Sequence, residues 1–158
     1  MSPKLTHLNE RGEAHIVDIG GKAVTARRAV ARARLEAQPE TVAAIIGGTL
    51  KKGDALAVAR IAGIMAAKKT SELIPLCHPI ALNTVEVEIE TFGGVITIIA
   101  TAETDDRTGV EMEAMTAASV AALTLYDMAK GIDRAMRIST VELVEKSGGK
   151  SGTFKRDG

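Results

Sequence analysis

The sequence predicts an α+β fold in which helices cover one face of an antiparallel sheet. Residues 84–90 alternate strictly between apolar side chains and glutamates, which is typical of a strand with one face in water. Gly93-Gly94 separates this strand from a second apolar segment at 95–102, so the two segments should form a hairpin. Because helices and strands do not alternate regularly, a parallel βαβ protein is excluded, and we expect one domain over residues 1–158.

The N-terminal third of the chain contains one clear strand. Residues 1–12 are polar and are expected to be mobile, and the weak alternation at 15–19 is compatible with a short strand. Residues 28–36 alternate between charged and apolar side chains with a period of two. This period predicts a strand, although the composition of the segment also suits a helix.

Two helices should follow this strand. The first spans residues 40–46. Pro39 directly before it suits the first position of a helix, and Gly47-Gly48 should end it. The second spans residues 55–69, and Asp54 is a suitable N-cap for it. Residues 70–81 contain two prolines, so we expect this segment to be irregular.

The longest predicted element is an alanine-rich helix at residues 108–131. Thr108 should cap its start, with Glu111 at the spacing of a capping box, and Gly131 should follow its end. A final strand is predicted at 135–145. The glycine- and lysine-rich residues 147–158 are expected to be mobile without a ligand.

Acidic side chains mark both ends of the long helix. Glu113 and Asp127 are separated by about 21 Å along the axis and by about 40° around it. One small site cannot use both, but two antiparallel copies of the helix would bring the opposite ends together. We therefore expect active sites shared between subunits. The alternative is a buried core helix whose ends are merely solvated.

Composition excludes several classes of protein. The formal net charge is zero and only 2% of residues are aromatic, which argues against nucleic-acid binding. No apolar run is long enough to span a bilayer, and the first 15 residues lack the apolar core of a signal peptide. The single cysteine cannot form an internal disulfide. We expect a cytoplasmic protein with no membrane partner.

Cys77 and His78 are adjacent in the proline-rich segment. Neighbouring residues on extended backbone point in opposite directions, so the two are a poor catalytic pair. Metal-ligand spacing is absent from the sequence, and no metal site is predicted. His78 is then either structural or in contact with a ligand. Asp127 and Lys130 are three residues apart on the long helix, and they form either an ordinary surface pair or an acid/base pair with some burial.

The tail contains Gly149-Lys150-Ser151, which invites comparison with a P-loop. The motif requires a glycine where this chain has Val144, and no helix can follow within the remaining residues. We therefore reject a P-loop. A glycine-rich basic segment can still hold phosphates through its amides and lysines, and so can Lys51-Lys52 before Gly53.

Three groups of residues together resemble one family. They are residues 59–64 with 73–79, residues 108–114 with 126–128, and residues 146–152. In these segments, and over nearly all of its length, the chain resembles the molybdenum cofactor biosynthesis protein C family. The resemblance implies a ferredoxin-like fold, a hexamer of three dimers with pockets at the dimer interface, and cyclic pyranopterin monophosphate synthase activity. The substrate would be a 3′,8-cyclised dihydroguanosine triphosphate, and diphosphate would be released.

The resemblance also implies roles for individual residues. Asp127 would be the catalytic acid/base with Lys130 as its partner. The residues expected to contact substrate are Leu76, Cys77, His78, Met112, Glu113, Lys52, Glu111 and Lys146. Lys52 is preferred to Lys51 because it directly precedes Gly53. No cofactor is expected, although magnesium could accompany the triphosphate. The rival interpretation is a non-catalytic nucleotide-binding domain, which would need the phosphate contacts but not Asp127.

Overall fold

The computed structural model describes residues 8–150 and 152–157. Nine helices and strands are found in this part of the chain. In order they are β1 (Thr25–Glu36), α1 (Pro39–Gly47), α2 (Ala55–Lys68), α3 (Thr70–Leu73), β2 (Thr84–Phe92), β3 (Val95–Asp106), α4 (Glu111–Ala129), β4 (Arg137–Ser147) and β5 (Phe154–Lys155).

The five strands form one sheet in the order β2-β3-β1-β4-β5, and each neighbouring pair is antiparallel. The first four strands follow the β-α-β-β-α-β plan of ferredoxin-like folds. Strand β1 is central, and its Ala31 pairs with Ala100 of β3 and Leu143 of β4. The predicted α+β class is confirmed. The two-residue period correctly identified β1, β2 and β4, and the Gly93-Gly94 turn correctly indicated β3.

Small side chains let the helices pack closely on the sheet. Five alanines of α4 are fully buried: Ala114, Ala117, Ala118, Ala121 and Ala122. Gly63 of α2 faces this row, and a Cβ atom at Gly63 would lie 3.0 Å from the carbonyl oxygen of Ala117. Because α2 crosses α4 at these residues, the helix axes approach closely, and both ends of α4 remain free to carry polar groups.

The predicted ends of the early helices are confirmed. Gly48 ends α1 in the left-handed conformation with φ of 68°. The Asp54 side chain caps α2 by accepting a hydrogen bond from the Ala57 amide at 3.1 Å. This cap fixes the loop that contains Lys52, directly before the helix.

The predicted start of α4 is wrong. The helix begins at Glu111, and its N-cap is Val110, which makes no side-chain capping bond. Glu111 pairs instead with Lys146 of β4, so its carboxylate is not available for a capping box. At the other end Lys130 is the C-cap in a right-handed conformation, so Gly131 directly follows the helix as predicted, although it does not adopt positive φ.

Three further segments differ from the prediction or extend it. Residues 15–19 form no strand, and the backbone carbonyl of Val17 contacts His78 instead. The irregular segment begins with one helical turn, α3, before the prolines. In the tail, β5 pairs with Glu145 and Lys146. The expected mobility of 1–12 and 147–158 stays a prediction, and it falls partly on residues 1–7, 151 and 158, which lie outside the described part.

None of the helices in residues 8–150 and 152–157 combines the length and apolar character needed to cross a bilayer.

Candidate active site

A cavity of about 500 Å³ lies between the proline-rich segment and the start of α4. We call it the main cavity. The sequence predicted five of the residues that line it, namely Leu76, Cys77, His78, Glu111 and Met112. Val17, Ile19 and Lys22 complete one wall from the N-terminal segment. The fold therefore brings together residues from three separate stretches of the chain.

The His78 ring is held by backbone. Its Nε2 atom lies 2.6 Å from the carbonyl oxygen of Val17, so this nitrogen donates a hydrogen bond. The contact leaves Nδ1 as the nitrogen available to a ligand. His78 consequently has both a structural contact and a place in the cavity wall, which answers the choice that the sequence left open.

Glu113 is buried beside the main cavity. Its residue is only 2% exposed, and its Oε2 atom accepts a hydrogen bond from the Cys77 thiol at 3.5 Å. Its Oε1 atom is buried without a hydrogen-bond partner among the described residues. Burial is the main cause that raises the pKa of Glu113 above the ordinary carboxyl value. The site thus contains a carboxyl group that retains its proton more readily than a surface glutamate does.

The Cys77 thiol is affected by the same surroundings. Burial, followed by the charge and hydrogen bond of Glu113, raises the pKa of Cys77 to about 11. The thiol is therefore protonated at neutral pH. This property suits a wall residue or a proton donor better than a thiolate nucleophile.

Lys146 and Glu111 form an ion pair at the rim of the main cavity. Lys146 projects from β4 and Glu111 from the first turn of α4, and 26% of each side chain is exposed. The pair joins residues that are distant in sequence but adjacent once α4 packs on the sheet. Its lysine supplies positive charge at the cavity.

A second group of charges lies at the opposite end of α4. Asp127 accepts hydrogen bonds from Lys130 at 3.0 Å and from Lys52 at 3.1 Å. Lys52 also donates to the backbone carbonyl of Asp127 at 3.0 Å. The hydrogen bond from Lys130, and then that from Lys52, lowers the pKa of Asp127, so the carboxylate is ionised at neutral pH. The choice of Lys52 over Lys51 agrees with this geometry.

The expected burial of this second group is absent from the single chain. About half of each side chain is exposed, 54% for Asp127, 52% for Lys130 and 49% for Lys52. Asp127 lies about 21 Å along the helix axis from Glu113, from 14 steps of about 1.5 Å. A single chain therefore does not place Asp127 and Lys130 beside the main cavity.

A smaller cavity of about 330 Å³ adjoins the main one through Lys22. We call it the basic cavity. It is lined by Lys22, Ala23, Thr25, Arg27, Gly149 and Lys150. The basic side chains among these residues form no ion pair within the described chain. The hydroxyl oxygen of Thr25 is buried there without a described partner.

The sequence had indicated phosphate binding by the tail lysines but missed Lys22, Thr25 and Arg27. Arg27 lies near the start of β1, one residue before the alternating segment 28–36 that the sequence identified. Only the pairing of β1 with β3 and the return of the tail place it in a cavity. No signal in the local sequence distinguishes it.

Within the described residues, no three His, Cys, Asp or Glu side chains lie close enough together to hold a metal ion.

The chain matches known proteins over almost its whole length. A family model described as "MoaC family" matches residues 16–149. A protein of Thermomicrobium roseum is 56% identical over 98% of this chain and 94% of its own length, and one of Pelotomaculum thermopropionicum is 54% identical over 98% and 92%. A protein of Herpetosiphon aurantiacus is 56% identical over 96% and 93%. All three relatives are named "Cyclic pyranopterin monophosphate synthase".

Proposed function

The chain belongs to the MoaC family, and from this premise we propose that it is a cyclic pyranopterin monophosphate synthase. This enzyme, a lyase, acts in molybdenum cofactor biosynthesis. Its substrate is (8S)-3′,8-cyclo-7,8-dihydroguanosine 5′-triphosphate, and its products are cyclic pyranopterin monophosphate and diphosphate. The observation that best supports the assignment is a cavity lined by titratable groups that shares Lys22 with a neighbouring cavity lined by cations.

The two cavities match the two halves of such a substrate. The main cavity is large enough for the ring system, and typical small-molecule sites span about 300–1,000 Å³. The basic cavity supplies positive charge for the phosphates, and Lys146, paired with Glu111 of the main cavity, supplies more. Diphosphate is a highly charged leaving group, so cations close to it would stabilise the transition state. We therefore assign the phosphates to the basic cavity.

The reaction requires several proton transfers. The purine five-membered ring opens and the pyrazine ring closes, and then a ribose-derived hydroxyl attacks the α-phosphate and expels diphosphate. Cys77 borders the main cavity as a protonated thiol beside Glu113, whose pKa is raised by burial, and Asp127 is an ionised carboxylate held by two lysines. We assign Asp127 as the acid/base and Lys130 as its partner. Lys52 contacts the other oxygen of the same carboxylate and helps to fix its position.

Asp127 reaches the substrate only if another subunit supplies it. We propose a dimer in which two α4 helices lie antiparallel, so that Asp127, Lys130 and Lys52 of one subunit complete the main cavity of the other. The exposure of this group in the single chain supports such an arrangement, because a partner can still cover it. Three such dimers would form a hexamer.

We propose that no resident cofactor takes part and that magnesium, where present, arrives with the triphosphate. A cytoplasmic location fits an enzyme that uses a nucleotide triphosphate.

The test is turnover of the cyclised nucleotide by the purified protein. We expect stoichiometric release of diphosphate and of the cyclic pterin phosphate, and loss of both products in Asp127→Asn. A non-catalytic nucleotide-binding domain would bind the same compound without releasing diphosphate. Binding without product formation by the unaltered protein would therefore favour that rival and refute the proposed activity.

A further inference from the structure

We propose that Gly149 is a positioning residue that fixes the guanidinium of Arg27 in the basic cavity. The inference rests on the proposed function, which assigns the phosphates to this cavity. The inference adds a role for Gly149, which has no side chain with which to contact a phosphate.

Arg27 is held at one side only. Its Nε atom donates a hydrogen bond to the carbonyl oxygen of Asp106 at 3.0 Å. This contact fixes the inner part of the guanidinium against β3. The outer nitrogens have no carboxylate partner in residues 8–150 and 152–157, so their position depends on what packs against them.

Gly149 is what packs against them. A Cβ atom at Gly149 would lie 2.9 Å from Cζ of Arg27, 3.1 Å from Nη2 and closer still to Nη1. Side-chain carbons essentially never approach other atoms within 3.0 Å. With an alanine at position 149, the guanidinium of Arg27 therefore could not stay where it is observed.

The backbone around Gly149 is also built for this approach. Gly148 and Gly149 have φ of 97° and 76°, in the left-handed region that favours glycine. A Cβ atom at Gly148 would collide with the carbonyl group of Ala26. The two glycines let the chain turn closely over the start of β1 directly after β4 ends. The same turn brings Lys150 to the basic cavity.

The expected effect of a side chain at position 149 is displacement of charge rather than loss of the fold. The atoms in conflict are the far end of a flexible side chain, which can swing away at little cost to the fold. The phosphates would then lose a planar cation that can donate two parallel hydrogen bonds. Anion affinity should fall while the fold remains.

Gly152 offers a matched control. Its φ of 72° is nearly that of Gly149, but a Cβ atom at Gly152 would meet nothing within 4 Å. Gly149→Ala and Gly152→Ala therefore impose a similar backbone penalty, and only the first displaces Arg27. Neither the main cavity nor the basic cavity is lined by Gly152.

The experiment measures inorganic diphosphate binding by calorimetry and KM and kcat for the cyclised nucleotide. We expect Gly149→Ala to weaken diphosphate binding and raise KM by about tenfold, with kcat nearly unchanged, because a charge-assisted contact to phosphate is lost. Arg27→Ala should reproduce this loss, and adding Gly149→Ala to it should change nothing further. Gly152→Ala should stay within about twofold of the unaltered protein, since it lacks the contact.

Equal losses in Gly149→Ala and Gly152→Ala would overturn the inference, and so would a full additional loss when Gly149→Ala is combined with Arg27→Ala. The proposed function fails differently, through absence of turnover in the unaltered protein. Diphosphate binding remains measurable in that case, so the two failures are distinguishable.

Discussion

The Cys77 thiol donates a hydrogen bond to the buried carboxyl of Glu113 over 3.5 Å. The cysteine comes from the segment after α3 and the glutamate from the first turn of α4, so this contact ties the proline-rich segment to the long helix. Both groups hold their protons more firmly than exposed groups of the same type. The contact therefore links the geometry of the site to its protonation state, and the link can be measured.

Alkylation of Cys77 tests that protonation state. Because the thiolate is the reactive form and the pKa is about 11, the alkylation rate should still be rising at pH 10. Glu113→Gln should lower the pKa of Cys77 and increase its alkylation rate at pH 8, because the variant removes the carboxylate charge beside the thiol and its hydrogen bond. Glu111→Gln is the control and should have a smaller effect, because Glu111 is the weakest of the causes. The single cysteine makes the assay unambiguous. Equal effects of the two variants would contradict the contact.

Loss of the charged group at the end of α4 should abolish turnover without unfolding the protein. Asp127→Asn, Lys130→Ala and Lys52→Ala should each reduce kcat by about 100-fold or more, which is the usual contribution of acid/base groups. Lys51→Ala should retain activity, because the neighbouring Lys52 makes the contacts with Asp127. Urea unfolding should be nearly unchanged, since these side chains are largely exposed. A near-normal rate in any of the first three variants would remove that residue from the mechanism.

Lys146→Ala should mainly weaken binding of the triphosphate. A hydrogen bond to a charged group contributes about 1.5–3 kcal/mol, so KM should rise about tenfold or more while kcat changes less. Lys155→Ala is the matched control, because Lys155 lies on the neighbouring strand β5 and forms no described ion pair. Unchanged nucleotide affinity in Lys146→Ala would argue against a phosphate contact.

Subunit mixing tests whether sites are shared. An Asp127→Ala chain and a Glu113→Ala chain should each be inactive alone. In a mixed dimer one of the two sites is intact, and half of randomly assorted dimers are mixed, so activity should return to about a quarter of normal. The measurement is diphosphate release after the chains are unfolded and refolded together. Refolding each chain by itself is the control, and a mixture that stays inactive would rule out sites built from both chains.

Close packing of α2 on α4 should be sensitive to added volume. Gly63→Val should reduce the free energy of unfolding by about 1–3 kcal/mol or more, because the added atoms meet Ala117, Ala121 and Val87. Met65→Val on the exposed side of the same helix controls for the helix propensity of valine. Urea denaturation followed by circular dichroism gives both values. If the two variants were equally stable, the helices would have room that the structure does not show.

The sequence predicted the sheet well because strand formation here follows a local rule. Alternating side chains in β1 and β2 face the helices and the solvent in turn, and that pattern is visible without knowing any partner. The start of α4 was predicted less well. Glu111 had the correct spacing for a capping box, but Lys146, 35 residues later, takes its carboxylate. Such competition between a local and a distant partner is not visible in a short window of sequence.

The candidate site also combines residues that local sequence identified with residues that only distant contacts place. Leu76, Cys77 and His78 were identified from an unusual local segment and its resemblance to a family, and they do line the main cavity. Arg27 was missed because its position depends on Asp106, at the end of β3, and on Gly149, two residues after β4 ends. The burial expected for Asp127 was wrong for the single chain, since apolar neighbours along a helix do not ensure that its end is covered.

The short strand β5 lies along the outer edge of β4, where it pairs with Glu145 and Lys146 and where Arg156 donates to the carbonyl of Val144. Removing it would leave this border of the sheet with free amide and carbonyl groups, which readily recruit strands from other molecules. A version of the protein shortened after Lys150 should consequently be prone to self-association and aggregation during purification. Retaining the last eight residues is thus advisable for solution work, even when the catalytic groups alone are of interest.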